Sequence, residues 1–478
     1  MKQKNILFVV AECQGFAATG GLAEVAGSLP KAIMSINRGY KVQVMMPLYK
    51  TILQKYQNEL KFLGETSVAL AWRKLYCGVY TLTKDKITYY FIDNKYYFDR
   101  EGLYGHFDDG ERFAYFSKSV FETFPIIGFV PDIIHTHDWH SALVNIYLDI
   151  LYKKEGFYTN IKSIFTIHNI QFQGIFETSF LEDIIGIDAK YLEILEYNGL
   201  INLLKGAIVC SDLVTTVSPR YAREITTALY ACGLENITRI NKEKIVGIIN
   251  GIDVDFYNPS TDPNLHVNFT SETLINKQQN KESLQRGLNL NIDPNSCMIS
   301  LISRLTSQKG IDLIIERFDD IMNENVQLVI LGKGERFYEE KLLDLAKRYP
   351  KRVSVLTTFD INLARKIYGS SDLFLMPSKM EPCGLSQMIA SRYGAVPIVR
   401  ATGGLFDTIK DYQDGVGNGF VFKDYDSYQM LEKIKEAVNV YHDREKYDQL
   451  ASRIMEIDFS WNVSAKSYLD LYKKLLKK

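Results

Sequence analysis

Along all 478 residues, short β-branched runs alternate with longer amphipathic stretches, and that alternation leaves few folds open. A brief apolar run reads as a strand, and the amphipathic stretch after it as a helix that carries the chain back across the sheet. Repeated, the unit builds parallel sheets covered by helices on both faces. The first half supplies runs at 5–11, 41–46, 89–93, 132–136, 163–167 and 213–217, enough for one doubly wound sheet. The second half supplies 245–249, 297–302, 327–331, 353–356, 373–376 and 396–399, enough for another. A linker is expected near Lys242, followed by a loop excursion over 254–280 that is rich in Asn, Asp, Pro, Ser and Thr. At roughly 150 residues per domain the length also calls for more than one core. The predicted class is therefore α/β, with two sheets whose carboxyl-end loops line a shared crevice, the place where open α/β sheets bind ligands.

Charge narrows the choice of partner. Lys plus Arg is 56 against Asp plus Glu 57, so the net charge of -1 provides no general basic field for a nucleic acid or an anionic membrane. Any anion must be held locally. Every apolar run is broken well short of the roughly 20 residues a bilayer requires. The run 6–11 is too short for a signal segment and leads directly into Glu12. Cys13, Cys77, Cys210, Cys232, Cys297 and Cys383 are scattered without a CxxC pair, which suits reduced thiols in a cytoplasm. Tyrosine and phenylalanine are abundant, at 30 and 26; most serve core and strand packing, and some suit stacking on sugars.

Two loops echo each other. Thr19-Gly20-Gly21-Leu22 follows the first strand, and Thr402-Gly403-Gly404-Leu405 follows the strand ending near Val399. A Gly-Gly pair opening a helix exposes backbone N–H groups at the positive end of the helix dipole, with no Cβ to keep a phosphate or sugar away. Each is alternatively a tight turn, but two such loops, one per sheet, favour ligand contact. Neither is a dinucleotide fingerprint: GxGxxG is absent after Ala11, and Gly332-Lys333-Gly334 lacks its third glycine because Phe337 stands there. P-loop spacing is absent too. Ser303-Arg304-Leu305 with Lys309-Gly310 puts two cations at a strand's carboxyl end, a forked one and a point charge, as a diphosphate needs. The alternative is a solvated cationic loop.

His135-Thr136-His137-Asp138-Trp139-His140 concentrates three of the seven histidines after one strand. No HExxH, Cys partner or carboxylate set accompanies them, so a zinc site is disfavoured. Some of these rings, with Asp138 and Trp139, would line a polar sugar pocket, and the others would be satisfied buried histidines. His168-Asn169 ends another strand in the same way. In Glu381-Pro382-Cys383-Gly384-Leu385, proline and glycine fix a turn around one acid, so a hydroxyl-rich ligand would meet a carboxylate and backbone donors together. The bland reading is a capping acid. Cys383 lacks the His and Asn partners of a thiol nucleophile.

Taken in order, these motifs resemble the bacterial glycogen synthases and plant starch synthases that use ADP-glucose. The likeness runs from Ala11 to Tyr472 and also includes Val217-Ser218-Pro219, Asn250-Gly251-Ile252-Asp253 and Asp458-Phe459-Ser460-Trp461. It implies a GT-B fold of two Rossmann-like domains facing a central cleft. Residues 1–242 would form the acceptor side, 243–457 the nucleotide-sugar side, and 458–478 a C-terminal helix returning to the first domain. The implied reaction moves glucose from ADP-glucose to the non-reducing end of an α-1,4-glucan such as glycogen, with retention and without cofactor or metal. By position, Arg304 and Lys309 would bind the diphosphate, Glu381 with the N–H groups of Cys383, Gly384 and Leu385 would hold the glucose hydroxyls, and His168 would sit beside the sugar. Thr19, Gly20, Gly21, Asp138, Asn250, Thr402, Gly403 and Gly404 complete the expected donor site.

One position departs from the pattern. Family members usually read Pro-Phe-Val-Lys-Thr-Gly-Gly-Leu, whereas here the loop is Gly15-Phe16-Ala17-Ala18-Thr19-Gly20-Gly21-Leu22, so Ala18 stands where a lysine meets the donor. Losing a charge-assisted contact costs on the order of 1.5–3 kcal/mol, or ten- to more than a hundredfold. This leaves a second expectation open, a degenerate member that binds glucan without efficient synthesis. The second glutamate of the E-x7-E pattern is replaced by Ile389, a change common in this family. An NAD-dependent oxidoreductase has only fold-level support.

Overall fold

The computed structural model describes residues 3–154, 156–413 and 415–477. The chain divides into two units, Met1–Asn250 with Trp461–Lys478, and Gly251–Ser460. In the first, the apolar runs become β1 (Lys4–Val9), β2 (Tyr40–Pro47), β5 (Ile87–Asp93), β6 (Ile133–His137), β7 (Lys162–Ile167) and β11 (Leu213–Thr216). Between them, β3 (Lys61–Leu70) and β4 (Arg73–Lys84) form a long antiparallel hairpin that extends the sheet edge. Short strands β8 (Ile175–Phe176), β9 (Glu196–Tyr197) and β10 (Leu200–Asn202) make a separate three-stranded antiparallel sheet.

The run at 245–249 does not open the second sheet. As β12 (Ile245–Gly247) it pairs in parallel with β11 and ends the first sheet, whose order is β12-β11-β7-β6-β1-β2-β5-β4-β3. Close approach permits this: a Cβ on Gly247 would lie 2.2 Å from the Ser218 carbonyl oxygen. The division between units therefore falls after Asn250 rather than near Lys242.

The second unit holds β13 (Cys297–Ile302), β14 (Val326–Leu331), β15 (Val353–Leu356), β16 (Leu373–Met376), β17 (Val396–Arg400) and β18 (Phe420–Phe422), all parallel, in the order β15-β14-β13-β16-β17-β18. Continuous burial of β14, β16 and β17 explains why their sequences are near-uniformly apolar rather than alternating. The excursion after Val254 is tied to this core by buried Asp262, which bonds Arg365 at 2.8 Å and the Tyr393 hydroxyl at 2.6 Å. Buried Lys281 reaches Asp372 at 2.7 Å and the Tyr441 hydroxyl at 2.8 Å, and Asp372 also accepts the Met298 N–H at 2.8 Å. Each buried charge thus has a partner, as burial demands.

The helix Trp461–Leu475 belongs to the first unit, where it packs on the helix Gly21–Ile36. Its buried residues Trp461, Ser464, Ala465, Tyr468, Leu469, Tyr472 and Leu475 follow the three-and-four spacing of one helical stripe. The Ser464 hydroxyl donates to the Ile249 carbonyl at 2.6 Å. Residues 458–460 remain with the second unit, where Ile252 N–H donates to the Phe459 carbonyl at 2.8 Å. Among the described residues, no helix is long and apolar enough to cross a membrane.

Candidate active site

In an open α/β sheet the ligand crevice lies where strand order reverses, because adjacent crossovers leave in opposite directions there. The first sheet reverses between β1 and β6, and the second between β13 and β16. The loops singled out by sequence leave these four strands and their neighbours.

At the end of β1, Glu12 is buried and its carboxylate accepts both the Thr19 N–H, at 2.5 Å, and the Thr19 hydroxyl, at 2.8 Å. Burial pushes the Glu12 carboxyl upward, and the Thr19 bonds oppose that rise. The loop between them is pinned by buried Phe16, whose ring meets Tyr56, Tyr89 and Phe91, and by the Tyr56 hydroxyl donating to the Gly15 carbonyl at 2.7 Å. Ala18 is exposed. Gly20 and Gly21 open the helix, and a Cβ on either would meet nothing within 4 Å. The fold itself does not require glycine at these two positions.

Asp138 ends β6 with φ of 55°, an uncommon conformation for a non-glycine residue that is held by bonds on both sides. Its N–H donates to the Thr166 carbonyl at 2.9 Å, and its carboxylate accepts the His168 N–H at 2.8 Å. Burial raises the carboxyl to about 7 despite the N–H groups of His168 and Asn169. The nearby histidines divide by role. His135 is buried between the Tyr472 hydroxyl, at 2.9 Å, and the Thr166 hydroxyl, at 2.6 Å. His140 packs against Tyr104, Phe113 and Trp139. His137 meets His168 ring to ring, Nδ1 to Nε2, at 3.0 Å. Burial holds His135, His140 and His168 neutral, each lowered to about 3. Among the described residues, no three His, Cys, Asp or Glu side chains converge as metal ligands. Asn250 is buried, and its Oδ1 has no hydrogen-bond partner among the described residues.

Beside Trp139, where the sequence suggests a sugar pocket, lies a cavity of about 360 Å³, lined also by Asp109, Gln171, Phe172 and Phe107, the last 97% exposed, and these four residues were not singled out from sequence. Gln171 and Phe172 lie just beyond the His168-Asn169 motif, which was the available signal. Phe107 carries no motif.

In the second unit, Lys309 Nζ lies 2.6 Å from Glu381 Oε2, which also accepts the Ser378 hydroxyl at 3.0 Å. The loops after β13 and β16 are joined a second time by the Lys379 N–H donating to the Gln308 carbonyl at 2.9 Å. Arg304 lies exposed on the first of these loops. The glycines after β17 differ from those after β1. A Cβ on Gly403 would lie 1.9 Å from the Glu381 carbonyl oxygen and one on Gly404 2.0 Å from that of Cys383. The Gly404 N–H donates to the Glu381 carbonyl at 3.1 Å. This pair lets the Thr402 loop pack on the backbone that carries Glu381, with Cys383 buried beneath and Leu385 leading into the helix Ser386–Arg392. The Gln387 side chain donates to the carbonyls of Cys383 and Gly384, at 3.2 and 2.9 Å.

Residues 5–240 match the family described as starch synthase catalytic domain, and residues 289–454 match glycosyl transferases group 1. The chain is 46% identical over 478 residues to the glycogen synthase of Geobacillus thermodenitrificans, covering 99% of this chain and 98% of that one. It is likewise 46% identical over 476 residues to the glycogen synthase of Desulforamulus reducens, covering 99% of each. Among solved structures, the catalytic domain of starch synthase IV from Arabidopsis thaliana, bound to ADP and acarbose, superposes with a TM-score of 0.91 at 33% identity over 100% of both chains. Sucrose-phosphate synthase from Thermosynechococcus elongatus shares the fold alone, with a TM-score of 0.60 at 16% identity over 99% of this chain and 100% of that one. The chain belongs to the glycogen and starch synthase family, within the GT-B glycosyltransferases.

Proposed function

We propose that the protein is a glycogen synthase that transfers glucose from ADP-glucose to the non-reducing end of an α-1,4-glucan with retention of configuration, in the cytoplasm. The observation that carries the reading is the Lys309–Glu381 contact at the β13/β16 reversal, where a cation stands beside a carboxylate suited to accepting sugar hydroxyls. The family membership supports it, as does the ADP and acarbose carried by the Arabidopsis relative. The second unit is the nucleotide-sugar side in this reading. The first is the acceptor side, with glucan stacking on the aromatic cavity beside Trp139.

In the proposed reaction the bond from C1 of glucose to the diphosphate oxygen breaks as the acceptor hydroxyl oxygen bonds to C1 from the same face, and the hydroxyl proton passes to the departing phosphate. Charge builds on the leaving oxygen. Lys309 and Arg304 supply the compensating cations, already in place before the reaction. Glu381, with the N–H groups of Cys383, Gly384 and Leu385, orients the glucose hydroxyls, while His168 and Asp138 border the sugar. Thr19, Gly20, Gly21, Asn250, Thr402, Gly403 and Gly404 complete the donor site.

Ala18 favours one competing reading, a protein that binds glucan without efficient synthesis. The test is nucleoside diphosphate release from ADP-glucose and from UDP-glucose, with and without glycogen, in wild type and Ala18→Lys. Expected are glycogen-dependent ADP release, preference for ADP-glucose, and a gain on the order of ten- to a hundredfold in Ala18→Lys. Well-folded wild type that binds glycogen but releases no ADP, with turnover appearing in Ala18→Lys, would establish the competing reading.

A further inference from the structure

Two of the clustered histidines touch each other, and the contact has a direction. His135 and His137 alternate along β6 onto the same sheet face, so their rings stack at 4.4 Å with 23° between planes. Phe8 of β1 covers His137 from the other strand at 5.2 Å and 29°. The stack on both sides fixes the plane of the His137 ring. Its Nδ1 faces His168 Nε2 at 3.0 Å, while the His168 backbone is held by Asp138. Burial keeps both rings neutral, so a single proton lies between the two nitrogens. If His168 supplied it, the proton of His137 would sit on Nε2, which is buried without a partner among the described residues. An orphaned buried N–H is rarer and costlier than an unused lone pair. The proton therefore belongs to His137 Nδ1, and the only ring proton of His168 is on its own Nδ1.

We propose that His137 is a positioning residue that fixes His168 in the Nδ1–H tautomer, so that His168 presents a hydrogen-bond donor, not a lone pair, to a hydroxyl of the substrate. The last step rests on the reading of His168 as a sugar neighbour. The tautomer does not.

Long-range proton–nitrogen NMR of protein labelled in the histidine rings reports the tautomer directly, with the His168 signal assigned by its loss in His168→Gln. Wild type is expected to show His168 protonated on Nδ1. His137→Phe keeps the stacked ring but removes the donor, so the Nδ1–H form of His168 loses its bond and an Nε2–H share absent from wild type should appear, while kcat falls by up to about tenfold with little change in KM. His137→Asn, whose amide N–H stands in for Nδ1–H, should restore both. Wild-type His168 protonated on Nε2 overturns the proposal whether or not any variant folds. So does a folded His137→Phe variant with unchanged tautomer and turnover. If the protein makes no glucan, the NMR result still decides the tautomer; an active enzyme with the Nε2–H form rejects this proposal and leaves the synthase reading intact.

Discussion

Asp138 carries a stability cost that can be measured apart from catalysis. Its carboxyl is raised from 3.8 to about 7 because the folded chain buries it, with only backbone N–H groups to support the charge. Between those two values the folded state holds a proton that the unfolded state has released, so stability falls as pH rises through the window. Linkage puts the deficit at about 2 kcal/mol at pH 5 and about 4 kcal/mol at pH 8, a further loss of about 2–3 kcal/mol over that interval. Asp138→Asn keeps an oxygen for the His168 N–H and removes the titration. The thermal midpoint of the wild type should therefore drop relative to the variant by roughly 4–5 °C between pH 5 and pH 8. Differential scanning fluorimetry of both proteins across this range measures the divergence, and any loss of an Asn169 contact offsets the variant equally at every pH. Parallel midpoint curves would refute the reasoning, because they would mean that Asp138 is ionised in the folded chain throughout. ADP release by Asp138→Asn should fall even where the variant is the more stable protein, the pattern of a residue kept for function at the expense of stability.

The two Gly-Gly loops should separate in the same way. Gly20→Ala meets no neighbour, so its stability should stay within about 0.5 kcal/mol of wild type while donor turnover falls about tenfold; Gly403→Ala forces a Cβ to 1.9 Å from a backbone oxygen and should unfold the second unit's loop, seen as a lost midpoint and new proteolytic cleavage near Cys383. Lys309→Met leaves buried Glu381, among the described residues, with only the Ser378 hydroxyl and should destabilise by on the order of 3 kcal/mol, and adding Glu381→Gln should restore the midpoint without restoring ADP release.

What the sequence disclosed tracks how local each signal is. The buried strands β1, β6, β7, β13, β16 and β17 announce themselves because each is an apolar run, and the loops that leave them carry short motifs. The hairpin β3 and β4 escaped because its period-two pattern, as in Lys61–Leu70, exposes every second residue and contains no sustained apolar run. The run at 245–249 was recognised as a strand but assigned to the wrong sheet, since pairing with Thr216 is a tertiary fact that Gly247 permits and does not advertise. The site shows the same limit. Glu12 read as the end of an apolar strand, and its grip on Thr19 appears only when the loop closes. His137 and His168 both stood out, yet nothing in the chain between them, across a separation of 31 positions, indicates that their rings touch. The two Gly-Gly motifs looked equivalent and are not: one is demanded by backbone packing and the other is not.

The return of the helix Trp461–Leu475 to the first unit also fixes an order of events during synthesis. All nine strands of the first sheet leave the ribosome before Gly251, yet the helix that covers Gly21–Ile36 and supplies the Tyr472 hydroxyl to His135 emerges only after the whole second unit. The usual sequence, in which the N-terminal domain completes first, is reversed. The second unit is contiguous and can close while still attached to the ribosome, whereas the first must wait with an apolar stripe uncovered for the time needed to translate more than two hundred further residues. For that interval the nascent chain exposes one defined apolar surface, and a chain that stopped before Trp461 would keep that surface exposed.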